Sequence, residues 1–265
     1  MLDNENMNAD GAELAEAIRR AEAAERASRT KSDFLAVMSH EMRTPLSSIT
    51  GAAYLLGRAP ELSPQSRKLV ETLKAGTDSL LALLNDFLDI SRIEAGRLTL
   101  ETAPFRLSDM VRQVETLIKA RLNGDAVRLR VDCVEPAQRL PVGDARRLQQ
   151  IVMNLAVNAV KFTPQGEIGI TAVLTAADDR SGVLHLSVSD TGVGIAPERL
   201  TDVFEPYTQI HGVGATRQDG TGLGLSIVRH LVDAMQGQIR VESAPGVGTS
   251  FMITIPVPLT PDRAL

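Results

Sequence analysis

The sequence predicts an α+β fold: an N-terminal long helical hairpin forming a dimeric four-helix bundle, followed by an α/β sandwich. Three observations carry this expectation. No glycine interrupts the chain from Glu13 to Gly51, and Ala, Glu and Arg dominate the first half of that stretch. Steps of seven from Leu14 land on Ala21, Ser28, Leu35, Met42, Ile49 and Leu56, all apolar except Ser28. Such a register makes a coiled-coil-like seam on one long helix. After Gly96 the texture changes, and strand-like and helix-like segments alternate to the C-terminus.

The first helix is expected to end near Gly57. "GRAPELSP" reads as a turn, with Ser63 as N-cap and Pro64 at the first helical position of a second helix. That helix runs to about Ala95, with Gly96 as its stop and an apolar stripe of Leu69, Leu73, Leu80, Leu84, Phe87 and Leu88. A two-helix hairpin buries little core alone, so two hairpins should pair through residues 31 to 96. "RLTLE" then reads as a short strand, "LSDMVRQVETLIKARL" as a helix capped by Ser108, and "AVRLRVD" as a strand. "ARRLQQIVMNLAVNAVKF" is a helix. "GEIGITAVLT", "VLHLSVSD", "QIRVES" and "SFMITIPV" are strands of alternating pattern. A Gly-, Thr- and Gln-rich loop covers residues 195 to 220, and a helix follows from about Gly222 to Met235. Helices against one face of a sheet give the sandwich.

Composition narrows the function. The net charge of −5 argues against a general nucleic-acid binder. Cys133 is the sole cysteine, which rules out an internal disulfide or a cysteine metal cage, and its strand-like setting reads as a packed thiol. No apolar run approaches the roughly 18 residues of a spanning helix, and the polar start "MLDNENMNAD" is unlike a secretory signal. A cytoplasmic location without membrane contact is expected for this segment.

Three motifs carry chemistry. In "VLHLSVSDTGVGI", Leu184, Leu186, Val188 and Asp190 share a strand face. An acid ending an apolar row is costly unless paired, and Gly192 and Gly194 let backbone approach a ligand. Such a carboxylate can accept from an exocyclic amine such as adenine's; the alternative is a plain Asp-Thr-Gly turn. In "DGTGLGLSIVRHLV", Gly220, Gly222 and Gly224 precede a helix whose N-terminal amides suit phosphate. The spacing is neither G-x-G-x-x-G nor a P-loop, and a surface loop is the alternative. In "NLAVNAVKFT", Asn154 and Asn158 stand at i,i+4 with Lys161 beyond them. An amide oxygen can bind magnesium and a lysine can reach phosphate; a polar helix face is the alternative.

Together, in this order, the pieces resemble the ATP-binding domain of histidine kinases, in a wider family shared with gyrase, a heat-shock chaperone and a mismatch-repair ATPase. "NLAVNAVKFT" is similar to its Asn box, "DTGVGI" and "GTGLGL" to its two glycine boxes, and "FEPY" to its Phe box, with Tyr207 where phenylalanine is common. The resemblance implies Asn158 as magnesium ligand and Asp190 as adenine reader. Asn154, Lys161, Gly192, Gly194, Gly220, Thr221, Gly222, Leu223 and Gly224 would line the nucleotide site. Residues 195 to 220 would form a mobile lid over ATP; Arg217 lies in it within range of phosphate, and no motif fixes its role.

"SHEMRTPL" resembles the histidine box of the kinase dimerisation domain. By the heptad, His40 occupies position f, away from the seam. The likeness implies that His40 takes the γ-phosphoryl of ATP, with Glu41 as base. Thr44, one turn along, would orient water for a phosphatase step on a partner's aspartyl phosphate. His185, His211 and His230 lack metal-like spacing with one another. The implied organisation is a signal helix and linker at 1–30, a phosphotransfer hairpin at 31–97, an ATP-binding domain at 98–258 and a tail at 259–265. ATP and Mg2+ are the expected cofactors. A response-regulator receiver domain and a second copy of the chain are the expected partners. "EMRTPL" and "SRIEAG" are similar to phrases of hybrid kinases, which continue into a receiver. The alternatives are a nucleotide-binding scaffold without phosphotransfer and a gyrase-like ATPase, which would not need the hairpin. Pro45 lacks the N–H that would pair with the Glu41 carbonyl, so a hinge beside His40 is expected.

Overall fold

The computed structural model describes residues 38, 41–59, 62–122, 124–136, 139–206, 208 and 222–261. The chain divides into two compact units, Met1–Leu98 and Thr99–Leu265.

The first unit contains helix α1 (41–57) and helix α2 (Pro64–Glu94). Helix α1 runs through Pro45 without leaving helical conformation over its described length. Arg43 donates to the Asn85 side chain at 3.0 Å, and Arg67 donates to the Gly57 carbonyl at 3.3 Å. These two ties, at opposite ends of α1, fix α1 and α2 as an antiparallel hairpin. The Ser63 side chain accepts from the Ser66 amide at 3.1 Å, and Pro64 opens α2, where its missing N–H costs nothing. Gly96, at φ 63°, stops the helix as expected. The expected stripe is present but uncovered: Leu69, Leu73, Leu80 and Phe87 are exposed, whereas Leu88 is buried. Met42, Ile49 and Leu56 on α1 are exposed too. Near the far end of α2, burial pushes the Asp86 carboxyl up to about 6, with the charge of Asp89 adding to it.

The second unit is a two-layer sandwich. Its elements are β1 (Ala103–Pro104), α3 (Leu107–Lys119), β2 (Val127–Val134), β3 (Val142–Gly143), α4 (Ala145–Phe162), β4 (Gly166–Ala176) and β5 (Ser181–Asp190). After a short 3-10 turn at Pro197–Arg199 come α5 (Gly224–Ala234), β6 (Gln238–Ala244) and β7 (Gly248–Pro258). The main sheet has the order β2-β4-β5-β7-β6, antiparallel except for β2 with β4. Period-2 alternation puts one face inward. Ile170, Val188 and Phe251 align across the strands, as do Ala172, Leu186 and Ile253, and all are buried. Against them pack Val114 and Ile118 of α3, Ile151 and Leu155 of α4, and Ile227 and Leu231 of α5. His185, on the opposite sheet face, is exposed. Cys133 is half-buried on β2, and burial pushes its thiol up, with Glu135 adding to the shift.

Two sequence expectations are corrected. "RLTLE" is not a strand: residues 97–100 have no regular structure, and β1 lies just beyond, paired antiparallel with β3. The Glu101 amide, which a ladder would use, donates instead to the Asp144 carboxylate at 3.0 Å. Ser108 does not cap α3, which begins at Leu107. Glu135, remote in sequence, accepts from the Leu107 amide at 2.8 Å and from the Ser108 hydroxyl at 2.6 Å. A charged acceptor from just past the end of β2 replaces the local cap.

Candidate functional site

Helix α4 is capped by Asp144, whose carboxylate accepts from the Arg147 amide at 3.0 Å. One face of α4 buries Leu148, Ile151, Leu155 and Ala159. Helical spacing therefore leaves Asn154, Asn158 and Lys161 half-exposed along one flank. The Asn154 amide donates to the Gly224 carbonyl at 3.2 Å. That bond joins the asparagine flank to the second glycine motif across a separation of 70 residues. Asn158 makes no side-chain hydrogen bond among the described residues. Lys161 Nζ lies 5.0 Å from the Phe162 ring centroid.

Asp190 ends β5 on the inward row of Leu184, Leu186 and Val188. In the ladders it stands between Ile168 and Thr249. Burial pushes its carboxyl above the usual value; the N–H groups of Gly192 and Thr249 and the nearby Thr163 hydroxyl pull the other way. The Gly192 amide bond measures 2.8 Å. Thr163 Oγ1 is itself buried and reaches no partner at hydrogen-bonding geometry, so its effect on Asp190 is one of proximity. A polar atom with unused capacity beside a half-buried carboxylate is what a polar ligand edge would complete.

The loop after Asp190 is tied on both sides. Val193 donates to the Phe162 carbonyl, the last of α4, at 3.2 Å, and Thr191 donates to the Glu167 carbonyl at 3.1 Å. A Cβ on Gly192 would collide with the Phe162 carbonyl, and one on Gly194, which sits at φ 70°, would collide with the Ala244 carbonyl. Both positions require glycine for close approach. The second glycine motif opens α5: Gly222 has φ 69°, and the Ser226 hydroxyl donates to the Leu223 carbonyl at 2.8 Å. The first-turn amides of α5, beginning at Gly224, have no helical partner and make an anion-binding end.

The described part of the loop at 195–206 begins with the 3-10 turn. Phe204 stacks edge-on against Phe251, centroids 6.2 Å apart, with the Arg229 guanidinium 5.9 Å from the Phe204 centroid. The two glycine motifs, the asparagine flank and Asp190 thus converge at one end of the sandwich. His40, Tyr207, His211, Arg217, Gly220 and Thr221 lie outside the described residues. Glu41 and Thr44 are exposed on α1 in the other unit. Three residues of the site escaped the sequence reading. Thr163 is the last residue of the asparagine motif but has no role assigned to it, whereas Ser243 and Thr249 sit around "APGVG", whose small residues mark a close backbone approach. Among the described residues, no group of three or more His, Cys, Asp or Glu could hold a metal. A magnesium ion would fit here only with phosphate and water supplying most of its oxygens, one Asn158 amide oxygen being the protein's share.

Residues 143–259 match the family model described as histidine kinase-, DNA gyrase B- and HSP90-like ATPase. Residues 30–96 match the His Kinase A phospho-acceptor domain. The chain is 39% identical over 238 residues to the sensor histidine kinase GacS of Pseudomonas protegens, covering 90% of this chain and 26% of that protein. It is 39% identical to LuxQ of Vibrio parahaemolyticus, an autoinducer 2 sensor kinase/phosphatase, covering 88% of this chain and 27% of the relative. Among solved structures, full-length ShkA in complex with AMPPNP superposes with a TM-score of 0.67 at 35% identity, over 86% of this chain and 46% of that one. The histidine kinase AdeS of Acinetobacter baumannii shares the fold, with a TM-score of 0.54 at 24% identity, over 82% of this chain and 96% of that one. The chain thus spans about a quarter of the length of the curated relatives it matches.

Proposed function

The chain belongs to the sensor histidine kinase family, and on that premise we propose that it binds ATP with Mg2+ and phosphorylates its own His40. The phosphoryl group then passes to an aspartate of a response-regulator receiver domain. The division proposed is a signal helix at 1–30, the phosphotransfer hairpin at 31–97, the ATP-binding domain at 98–258 and a tail at 259–265. ATP-dependent chemistry puts this part of the protein on the cytoplasmic side. Among the described residues, no helix is long and apolar enough to cross a membrane.

The observation that supports this most is Asp190: a half-buried carboxylate at the end of an apolar row, beside an unused Thr163 hydroxyl, where both glycine motifs meet α4. A carboxylate there accepts from the 6-amino group of adenine and repels the 6-carbonyl of guanine. Asn154 holds the second glycine motif on α4, so Gly220, Thr221, Gly222, Leu223 and Gly224 are assigned to phosphate. Lys161 is assigned to the same charge, and Asn158 to the metal. Mg2+, when bound, neutralises charge on the phosphate oxygens.

In the reaction, a neutral His40 nitrogen attacks the γ-phosphorus. The bond from phosphorus to the bridging oxygen of ADP breaks, and ADP leaves with that electron pair. Glu41 accepts the proton from the other imidazole nitrogen, which fixes the attacking tautomer.

Incubation with γ-labelled ATP and Mg2+ should give an acid-labile, base-stable label that is lost in His40→Gln while ATP binding persists. Retained label in that variant sinks the assignment. ATP binding without label in the wild type favours the scaffold reading. A phosphatase step is the second reading, because Thr44 lies exposed on α1 one helical turn after position 40 and the relative LuxQ is a sensor kinase/phosphatase.

A further inference from the structure

Three segments meet at one hydroxyl. The Ile195 amide donates to Ser243 Oγ at 2.7 Å, Ser243 Oγ donates to the Gly248 carbonyl at 2.8 Å, and Thr249 Oγ1 lies 2.9 Å away. With its single proton directed at Gly248, the Ser243 hydroxyl accepts from both Ile195 and Thr249. Gly248 and Thr249 border Asp190, and Ile195 is joined to it through the loop. Ile195 closes the loop that leaves Asp190 and carries Gly192 and Gly194. The Gly248 backbone packs on the Asp190 carbonyl so closely that a Cβ there would collide with it. Thr249 faces Asp190 across the β5–β7 ladder, and its N–H bonds the carboxylate.

We infer that Ser243 is a positioning residue for the base-reading carboxylate: one hydroxyl ties the loop and the β6–β7 hairpin together around Asp190 and so sets the base selectivity of the nucleotide site. This rests on the nucleotide reading of Asp190. The fold places the burden on a side chain for a physical reason. Among the described residues β6 is an edge strand paired with β7 alone, and Ser243 pairs with Thr249 close to the hairpin turn. The turn's other tie to the loop is the Gly246 amide to the Val193 carbonyl at 2.8 Å. These backbone ties stop at Val193, and it is the Ser243 hydroxyl that links the loop's end at Ile195 to Thr249. A reader of one amino group tolerates only about 0.5 Å of displacement.

The test uses the full chain and three proteins: wild type, Ser243→Ala and Ser243→Thr. Calorimetry measures the affinity of each for ADP and for inosine diphosphate, which carries a carbonyl where ADP carries the 6-amino group. Wild type should prefer ADP. Ser243→Ala should lose about tenfold in ADP affinity and little in inosine diphosphate affinity, so that the preference collapses. Ser243→Thr keeps a hydroxyl on a strand that suits a β-branched residue and should restore it. In the labelling assay Ser243→Ala should raise KM for ATP at unchanged kcat, the signature of lost uniform binding. An unchanged preference in Ser243→Ala overturns the inference, as does an equal loss for both nucleotides. If wild type shows no preference for ADP, the adenine reading of Asp190 falls first and the inference falls with it.

Discussion

At Asp190 the requirements of folding and of recognition pull apart. Burial raises its carboxyl pKa more than the neighbouring N–H groups lower it, so the charged form is held at a cost in the free protein. A carboxylic acid with a raised folded-state pKa stabilises the fold below its unfolded value, and that stability is lost as pH rises through the folded value. At neutral pH the charge is therefore a burden that these donors relieve in part and a ligand donor would relieve further. Asp190→Asn should melt higher than wild type without nucleotide at pH 7 and lose that advantage below about pH 4, the ordinary carboxylate range. The same variant should bind ADP on the order of 100-fold more weakly, because an amide can turn its own donor toward the base. Thermal melts with and without ADP read both effects; a variant that melts lower than wild type without ADP contradicts the argument. Thr163 sharpens the case. Its buried hydroxyl helps to hold the carboxylate charged, so Thr163→Val should push the Asp190 carboxyl up further and steepen the loss of melting temperature as pH rises, again checked by melting. Asp86 follows the same sign: a carboxyl pushed up to about 6 costs stability as pH rises through 6. Asp86→Asn should flatten that dependence, by on the order of 1 kcal/mol after allowance for solvent screening, in melts between pH 5 and 8.

Individual elements show where local sequence suffices. Helix α4 was legible to its ends, because Asp144 caps it, the apolar positions recur at helical spacing, and Thr163 leaves the helix at once. α2 was equally legible from Ser63, Pro64 and Gly96. α3 was not, because its cap comes from Glu135 across the fold, and no local pattern encodes that contact. Glu135→Ala should leave the Leu107 and Ser108 amides unpaired and cost about 1–2 kcal/mol, with faster amide exchange confined to the start of α3. "RLTLE" misled for a related reason: alternation specifies a face but not a partner strand. On α1 the chain keeps helical conformation through Pro45 despite the missing donor. An interior proline costs about 3 kcal/mol, so Pro45→Ala should raise the melting temperature of the hairpin. A hinge at this point further requires that the variant change its ratio of kinase to phosphatase activity, measured with one receiver domain; an unchanged ratio removes the hinge and leaves only the stability effect.

On the scale of the molecule, the two units solve burial differently. The sandwich closes its own core: Leu107, Ile151, Leu184, Ile227 and Ile253 are essentially inaccessible within one chain. The hairpin does not. Leu69 is 66% exposed, Leu73 50% and Leu80 53%, a continuous stripe on α2, with Met42, Ile49 and Leu56 exposed on α1. This difference was readable from the heptad spacing, whereas the assembly of the nucleotide site was not. Asn154, Asp190 and Gly224 lie on separate elements that only the sheet order brings together. Leaving such a stripe in water forfeits about 1.5–3 kcal/mol for each large side chain that a partner would bury, and a second hairpin offers the same stripe in return. The dimer should therefore fail before the sandwich does. Leu73→Asp combined with Leu80→Asp should convert the chain to a monomer by light scattering. The melting of the hairpin, concentration-dependent in wild type through mass action, should become concentration-independent or vanish. ADP binding should persist, because the residues assigned to it all belong to the self-contained unit that starts at Thr99. A double variant that remains dimeric would place the interface elsewhere, and one that loses ADP binding would show that the sandwich depends on the bundle for its site.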